Sequence, residues 1–400
     1  MARRVAVHCV VLTIVALLWP LTAAFGGSPN WTPVESFLLG SVNHMTGPTA
    51  LSGELRKKGY ELGADEVNAA GGVNGLPVKV VYEDDQGTNP GAVAAVRRLL
   101  AQQPVVAVLA ERSTMVNAIH PIIVEEKVPT LFGASAWSIS ELKNPWFFRM
   151  RLDDRATASV MAKFVVEELK KTKIAGLYAG DVFGEGGNKE TAAYLKEKHN
   201  ITPVNVQKYT SGTKDYTAQL LAIKSSGAEV IYAWGTNAED TAIYLRQFKQ
   251  LGLGIDFIGS ASHASTVSME LAGANANGIY SVYDFAVEDP RPQLQAWLKA
   301  YRTKYKEEPD FWGQYNYDTV KLIADAAKRA GIVRKDGNKF FQMPLPEARP
   351  ALAKALRETK SYAGAQGEYW CDEFQNMIHN MAVVRIENQK AKMVKIIKIK

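Results

Sequence analysis

Short apolar runs rich in β-branched residues alternate with longer amphipathic segments through most of the 400-residue chain. That alternation restricts it to an α/β fold built on parallel sheets, because each parallel strand needs a crossover segment, usually a helix, to reach the next. The plainest unit is PVVAVLAERSTMVNAIHPIIVEEKVPTLFGASA, residues 104–136. Its stretch 105–109 reads as a buried strand, 115–126 as a helix and 128–132 as the following strand. Both strands then end at one sheet edge, in the loops Glu111-Arg112-Ser113-Thr114 and Gly133-Ala134-Ser135-Ala136. Open α/β folds bind their ligands at that edge. Loops of small and hydroxylic residues leave backbone N–H groups and hydroxyls free for a carboxylate or another acceptor.

The same rhythm runs on either side. Strands are expected over 37–42 and 78–82 and helices over 50–70 and 91–103. After residue 149 a second series begins: helix 156–171, strand 174–178, helix 186–198, strand 204–209, helix 216–226, strand 230–234, helix 239–251 and strand 257–259. Two doubly wound, Rossmann-like sheets in succession follow from this order. A strand near 278–283, helices at 292–305 and 315–330, a helix near 351–360, and strands from about 382 and 393 complete the chain. The terminal AKMVKIIKIK alternates lysine with apolar residues, which suits an edge strand protected from aggregation by charge rather than a membrane or nucleic-acid patch.

The beginning of the chain has the layout of a cleavable export signal: Arg3 and Arg4, an apolar run over 5–18, Pro20, and small residues at Thr22, Ala23 and Ala24, with cleavage expected after Ala24. The remainder, roughly 375 residues, suffices for two domains with large cores. Of two cysteines only Cys371 lies beyond the signal, so stability must come from burial of apolar surface rather than from an internal disulfide. The net charge is +6, from 47 basic and 41 acidic residues, without a block of the nucleic-acid type. No Gly-x-Ser-x-Gly elbow, paired-histidine zinc motif or phosphate-binding loop occurs, and no metal or cofactor is implied.

The segment TGPTALSGELRKKGYELGADEVNAAGGVNGLPVKVVYEDDQGTNPGAVAAVRRLL, residues 46–100, resembles the opening of the branched-chain amino acid binding proteins of ABC importers, the type I periplasmic binding proteins. The likeness continues through GDVFGEGG at 180–187, YAWGTNAED at 232–240 and QYNYDTVKLIADAAKRAG at 314–331. It implies two α/β lobes joined by a three-crossover hinge, with residues 28–149 and 284–360 in the first lobe and 150–283 and 361–400 in the second. It further implies a monomeric periplasmic protein that closes over a small solute and presents it to an ABC permease and its ATPase. Enzyme activity is not expected. A periplasmic sensor using the same fold without transport is the alternative.

Residue by residue, the resemblance places Ser113 and Thr114, and Ala134, Ser135 and Ala136, against the ligand's acceptor end. It puts Ser52 where a large aromatic often covers the ligand and Phe183 in place of the usual tyrosine of the second lobe. Trp234, Thr236 and Asn237 end a second-lobe strand that supplies contacts, and Ser262, His263 and Tyr283 stand on loops expected to face the cleft, with Trp137 nearby. Arg112 is open between an anionic ligand and a salt bridge to Glu111 or another neighbour. The carboxylate that holds an ammonium in amino-acid-binding relatives matches Ala261, and no acid stands between Asp256 and Glu270. A ligand with an acid or amide head and an apolar or aromatic body is therefore expected, with an α-amino acid as the alternative.

Overall fold

In the computed structural model, residues 30–399 are described; the expected export signal lies outside them. Five parallel strands form the first sheet, in the order Val78–Asp84, Phe37–Asn43, Ala107–Ala110, Thr130–Phe132 and Phe147–Arg149. The second has seven, in the order Lys390–Ile397, Met381–Glu387, Tyr280–Tyr283, Asp256–Gly259, Val230–Trp234, Ile174–Ala179 and Asn205–Tyr209. Its last five are parallel and its two C-terminal strands antiparallel. Apolar runs such as AVLA at 107–110 and VIYAW at 230–234 are buried along their whole length, as strands covered by helices on both faces must be.

Strand order fixes where each sheet can hold a ligand. In the first, the chain winds outward in opposite directions from the boundary between Phe37–Asn43 and Ala107–Ala110. In the second, the equivalent boundary lies between Ile174–Ala179 and Val230–Trp234. Helices depart to opposite faces at such a boundary and leave a crevice beyond the carboxyl ends of the strands.

The chain passes between the sheets three times: after Arg149, after Tyr283, and between the helix Leu345–Arg357 and the strand Met381–Glu387. The intervening helices Pro292–Tyr305, Phe311–Arg329 and Leu345–Arg357 return to the first lobe. Arg349, for example, donates to the Val105 and Glu126 carbonyls. Helix Phe311–Arg329 lies unusually close to helix Ala50–Ala69, because Gly59 and Gly63 offer no side chain there. A Cβ on Gly59 would stand 2.2 Å from the Gly313 carbonyl oxygen. That contact sets Arg56 beside Trp312 and Tyr315.

The elements depart from the expected pattern in several places. The late helix begins at Phe311 rather than 315, because the Asp310 side chain accepts from the Trp312 N–H as an N-cap. Helix Asp154–Lys163 gives way to a π-helical turn, Phe164–Glu168. A small sheet pairs Thr32–Val34 with the hairpin Val333–Asp336 and Lys339–Gln342. The lysine-rich end is an edge strand, Lys390–Ile397. Among the described residues no helix is long and apolar enough to cross a membrane.

Candidate functional site

The two crevices meet in one cleft with about 960 Å³ of atom-free space, its open mouth included. From the first lobe its wall is built by the loop that enters helix Ala50–Ala69 (Thr49, Leu51, Ser52), by Glu111 to Thr114, and by Gly133 to Ser135. From the second come Asp181 and Phe183, Trp234 to Glu239, and Ser260 to Ser262. Eleven of the residues expected from sequence therefore share this cleft: Ser52, Arg112, Ser113, Thr114, Ala134, Ser135, Phe183, Trp234, Thr236, Asn237 and Ser262.

Charge in the first-lobe wall is distributed unevenly. Glu111 accepts from the Tyr60 hydroxyl at 2.9 Å and the Tyr315 hydroxyl at 2.7 Å, and pairs with Arg56 Nε at 3.2 Å. Arg56 also donates to Ser52 Oγ at 2.9 Å and to His44 Nε2. Glu111 is thus fully engaged, and of the alternatives open to Arg112 the salt bridge to Glu111 does not form. Arg112 has no carboxylate within 4.0 Å among the described residues, and its side chain makes one hydrogen bond, to Thr49 Oγ1 at 3.3 Å. Burial and the like charge of Arg56 pull its pKa down, and Asp181 and Asp85 pull it back. A guanidinium stays charged under such shifts, so the wall carries one positive charge without a protein partner.

The backbone makes this group available. Arg112 has φ 62° and ψ 132°, a left-handed conformation that costs a non-glycine residue about 1 to 3 kcal/mol. It precedes helix Ser113–Glu126, whose first turn receives no capping bond from the Arg112 side chain. An open helix N-terminus offers unpaired N–H groups and the positive end of the helix dipole beside the guanidinium.

The second loop is held from behind. Arg149 donates to the Ala134 carbonyl at 2.8 Å and the Ala136 carbonyl at 2.8 Å, and also to Ser140 and Asn376. The Ala136 N–H donates to Ser113 Oγ at 3.2 Å, leaving the Ser113 hydroxyl proton to point elsewhere. Replacing Ser113 and Thr114 together with alanine is expected to weaken ligand binding at least tenfold, since a hydrogen bond to a charged group is worth about 1.5 to 3 kcal/mol. Unchanged affinity in a folded double variant, measured by calorimetry, would contradict their role.

On the opposite wall, the Asp181 side chain caps helix Val182–His199 through the Gly184 N–H at 2.8 Å and accepts from Thr236 Oγ1 at 2.6 Å. Phe183 lies edge-on to Trp234 at 5.4 Å, and Trp234 Nε1 donates to Thr191 Oγ1 at 2.9 Å. Ser262 is tied to the Gly235 carbonyl at 2.6 Å. Ala261 lines the cleft and brings no charge.

Four expected contacts lie outside the cleft lining. Ala136 is buried with both its N–H and its carbonyl already bonded, as described. The short turn Ala261–Ala264 folds His263 inward beneath Gly259, where it is fully buried: Nε2 accepts from the Tyr244 hydroxyl at 2.6 Å and Nδ1 donates to the Ser260 carbonyl at 3.0 Å. Burial lowers its pKa to about 4, so it is a neutral core residue. Tyr283 packs behind the cleft floor against Phe311 at 5.5 Å, its hydroxyl oxygen accepting from the Phe311 N–H. Trp137 is occupied by Phe374 at 5.0 Å and by the Arg155 guanidinium at 4.3 Å.

Sequence reasoning missed the cleft floor: Arg56, Arg151, Phe311, Trp312 and Tyr315. Arg151 forms a bidentate pair with Asp284, at 2.9 and 2.8 Å, with its guanidinium 4.7 Å from the Phe311 ring centre. Asp284 also accepts from Gln366 Nε2 at 3.1 Å, so one residue from each of the three crossovers joins a single buried cluster. The signal that could have found part of this floor is Asp310, an N-cap residue that would have started the late helix one turn earlier. Cys371, half-buried, has its thiol pushed up to about 12 by burial, opposite to the shift of an activated nucleophile.

Residues 38–391 match the family model described as periplasmic binding protein. An "Amino acid binding protein" of Pseudomonas aeruginosa is 29% identical over 299 residues, covering 74% of this chain and 79% of that protein. "Leu/Ile/Val-binding protein homolog 3" of Brucella melitensis is 28% identical over 337 residues, 82% of this chain and 85% of that protein. Among solved structures, a leucine binding protein from Thermotoga maritima superposes with a TM-score of 0.80 at 22% identity, over 90% of this chain and 98% of that one. With two doubly wound lobes meeting at their ligand-binding edges and a family match over most of its length, this chain belongs to the periplasmic binding proteins and has their type I fold.

Proposed function

We propose that this protein is the extracytoplasmic solute-binding component of an ABC importer, exported by its N-terminal signal, and that its solute is a small organic acid with an apolar or aromatic body. The observation that carries the reading is Arg112, a cleft-facing guanidinium without a protein carboxylate, set at an open helix N-terminus. A ligand carboxylate would supply the missing charge and accept from the guanidinium in bidentate fashion. Ser113, Thr114 and Ser135 add hydroxyl donors around it. Phe183, Trp234 and Trp312 give the rest of the molecule apolar and aromatic walls.

Closure follows from the same geometry. A solute touching Arg112 on one lobe and Phe183 on the other gains its full set of contacts only when the lobes are together, so it shifts an open–closed equilibrium by that difference. The lobes that would move are 28–149 with 284–360 and 150–283 with 361–400. A monomer in solution is expected to show a smaller radius of gyration by X-ray scattering once saturated with an acid that raises its melting temperature. An unchanged profile under proven saturation would contradict closure.

An α-amino acid is the second reading, favoured by the amino-acid names of the relatives and by Asp181 in the cleft wall. Asp284 is not free for an ammonium, being held by Arg151 and Gln366.

A further inference from the structure

The cleft's walls differ in the hydrogen-bonding groups they leave unsatisfied. The first-lobe wall has a surplus of donors around Arg112, whereas the second-lobe wall presents the carboxylates of Asp181 and Glu239. Asp181 has no lysine or arginine within 4.0 Å among the described residues; its two recorded donors are the Thr236 hydroxyl and the Gly184 N–H. Each carboxylate oxygen accepts about two hydrogen bonds, so each retains capacity for another. The positive end of helix Val182–His199 already offsets much of the charge. The group therefore suits a neutral donor rather than a cation.

We propose that the solute is a hydroxy acid, its carboxylate at Arg112 and a hydroxyl at its far end donating to Asp181. This rests on the acid reading above and adds the chemistry of the other pole. Phe183 and Trp312 line the same cleft and suit a flat or apolar spacer. A site that binds a hydroxyl discriminates against the analogue lacking it, because inside a closed cleft that analogue leaves the acceptor without its partner.

Calorimetric titration of matched pairs, 4-hydroxybenzoate with benzoate and 4-hydroxyphenylacetate with phenylacetate, tests this on the whole mature protein and on Asp181→Ser, since serine preserves helix capping. In at least one pair the hydroxylated acid is expected to bind the unaltered protein tenfold or more tightly, and that advantage should fall to threefold or less in Asp181→Ser. Binding of both members of each pair with equal affinity would overturn the inference and leave the acid reading standing. An advantage fully retained in Asp181→Ser would overturn the role of Asp181. Binding of leucine with no binding of any of the four acids would overturn the acid reading and the inference with it.

Discussion

Replacing Arg112 with methionine is expected to weaken binding of the acid solute by about 30-fold or more, because removing one partner of a buried charge pair costs about 2 to 5 kcal/mol. The ligand-free protein should at the same time lose no stability. Arg112 has no carboxylate partner within the protein among the described residues, so methionine removes a desolvated charge without orphaning another. Arg112→Lys should fall between the two, since it retains the charge and loses the bidentate geometry. Calorimetry with the solute and thermal unfolding without it separate these effects. Retention of affinity within threefold in Arg112→Met would show that the carboxylate is held elsewhere.

The opposite pattern is expected at Arg151. Its partner Asp284 is 1% exposed, so Arg151→Met strands a buried carboxylate and should destabilise the protein by about 3 to 5 kcal/mol. Adding Asp284→Asn should recover much of that loss, because the remaining group is neutral and Gln366 still bonds to it. Urea midpoints of the single and double variants provide the test. A loss below about 1 kcal/mol in the single variant would mean that this cluster does not hold the crossovers together.

These two arginines also mark what the sequence makes legible. The first-lobe cleft residues Ser113, Thr114, Ala134 and Ser135 could be placed from one 33-residue stretch, because a strand, its crossover helix and the next strand are local and their loops must share an edge. Phe183, Trp234, Thr236 and Asn237 came instead from the resemblance to the type I binding proteins. Arg151 and Asp284, by contrast, are separated by 133 positions, and Tyr315 reaches Glu111 across 204. Pairings of that kind depend on how the crossovers return, which no local period encodes.

Two misplacements have the same origin. Glu111 looked available to Arg112 because they are adjacent, but adjacent residues at a strand end diverge, and Arg56 and two tyrosines from other segments claim the carboxylate. His263 is expected to face the cleft because it lies on a loop at a strand end. The direction of a single short turn puts it in the core instead, where the Tyr244 hydroxyl and the Ser260 carbonyl satisfy both ring nitrogens. Loop composition gives the edge at which a residue sits, and turn geometry decides whether its side chain faces the cleft.

The second lobe bears on the nature of the solute through a residue that is missing. Ala261 stands where amino-acid-binding relatives are expected to carry the acid that holds an ammonium, and in this chain it lines the cleft without charge. Asp181 and Glu239 are the acids in that wall, each at the N-terminal end of a helix whose dipole already offsets much of its charge. Burying an ammonium without a full counter-charge costs several kcal/mol. The account therefore turns on whether the amino group helps or hinders. Calorimetric titration of leucine, isoleucine, valine and phenylalanine beside their des-amino acids measures this directly: tighter binding of the des-amino acids is the predicted result, and micromolar or tighter binding of the amino acids with weaker binding of their des-amino counterparts would contradict it.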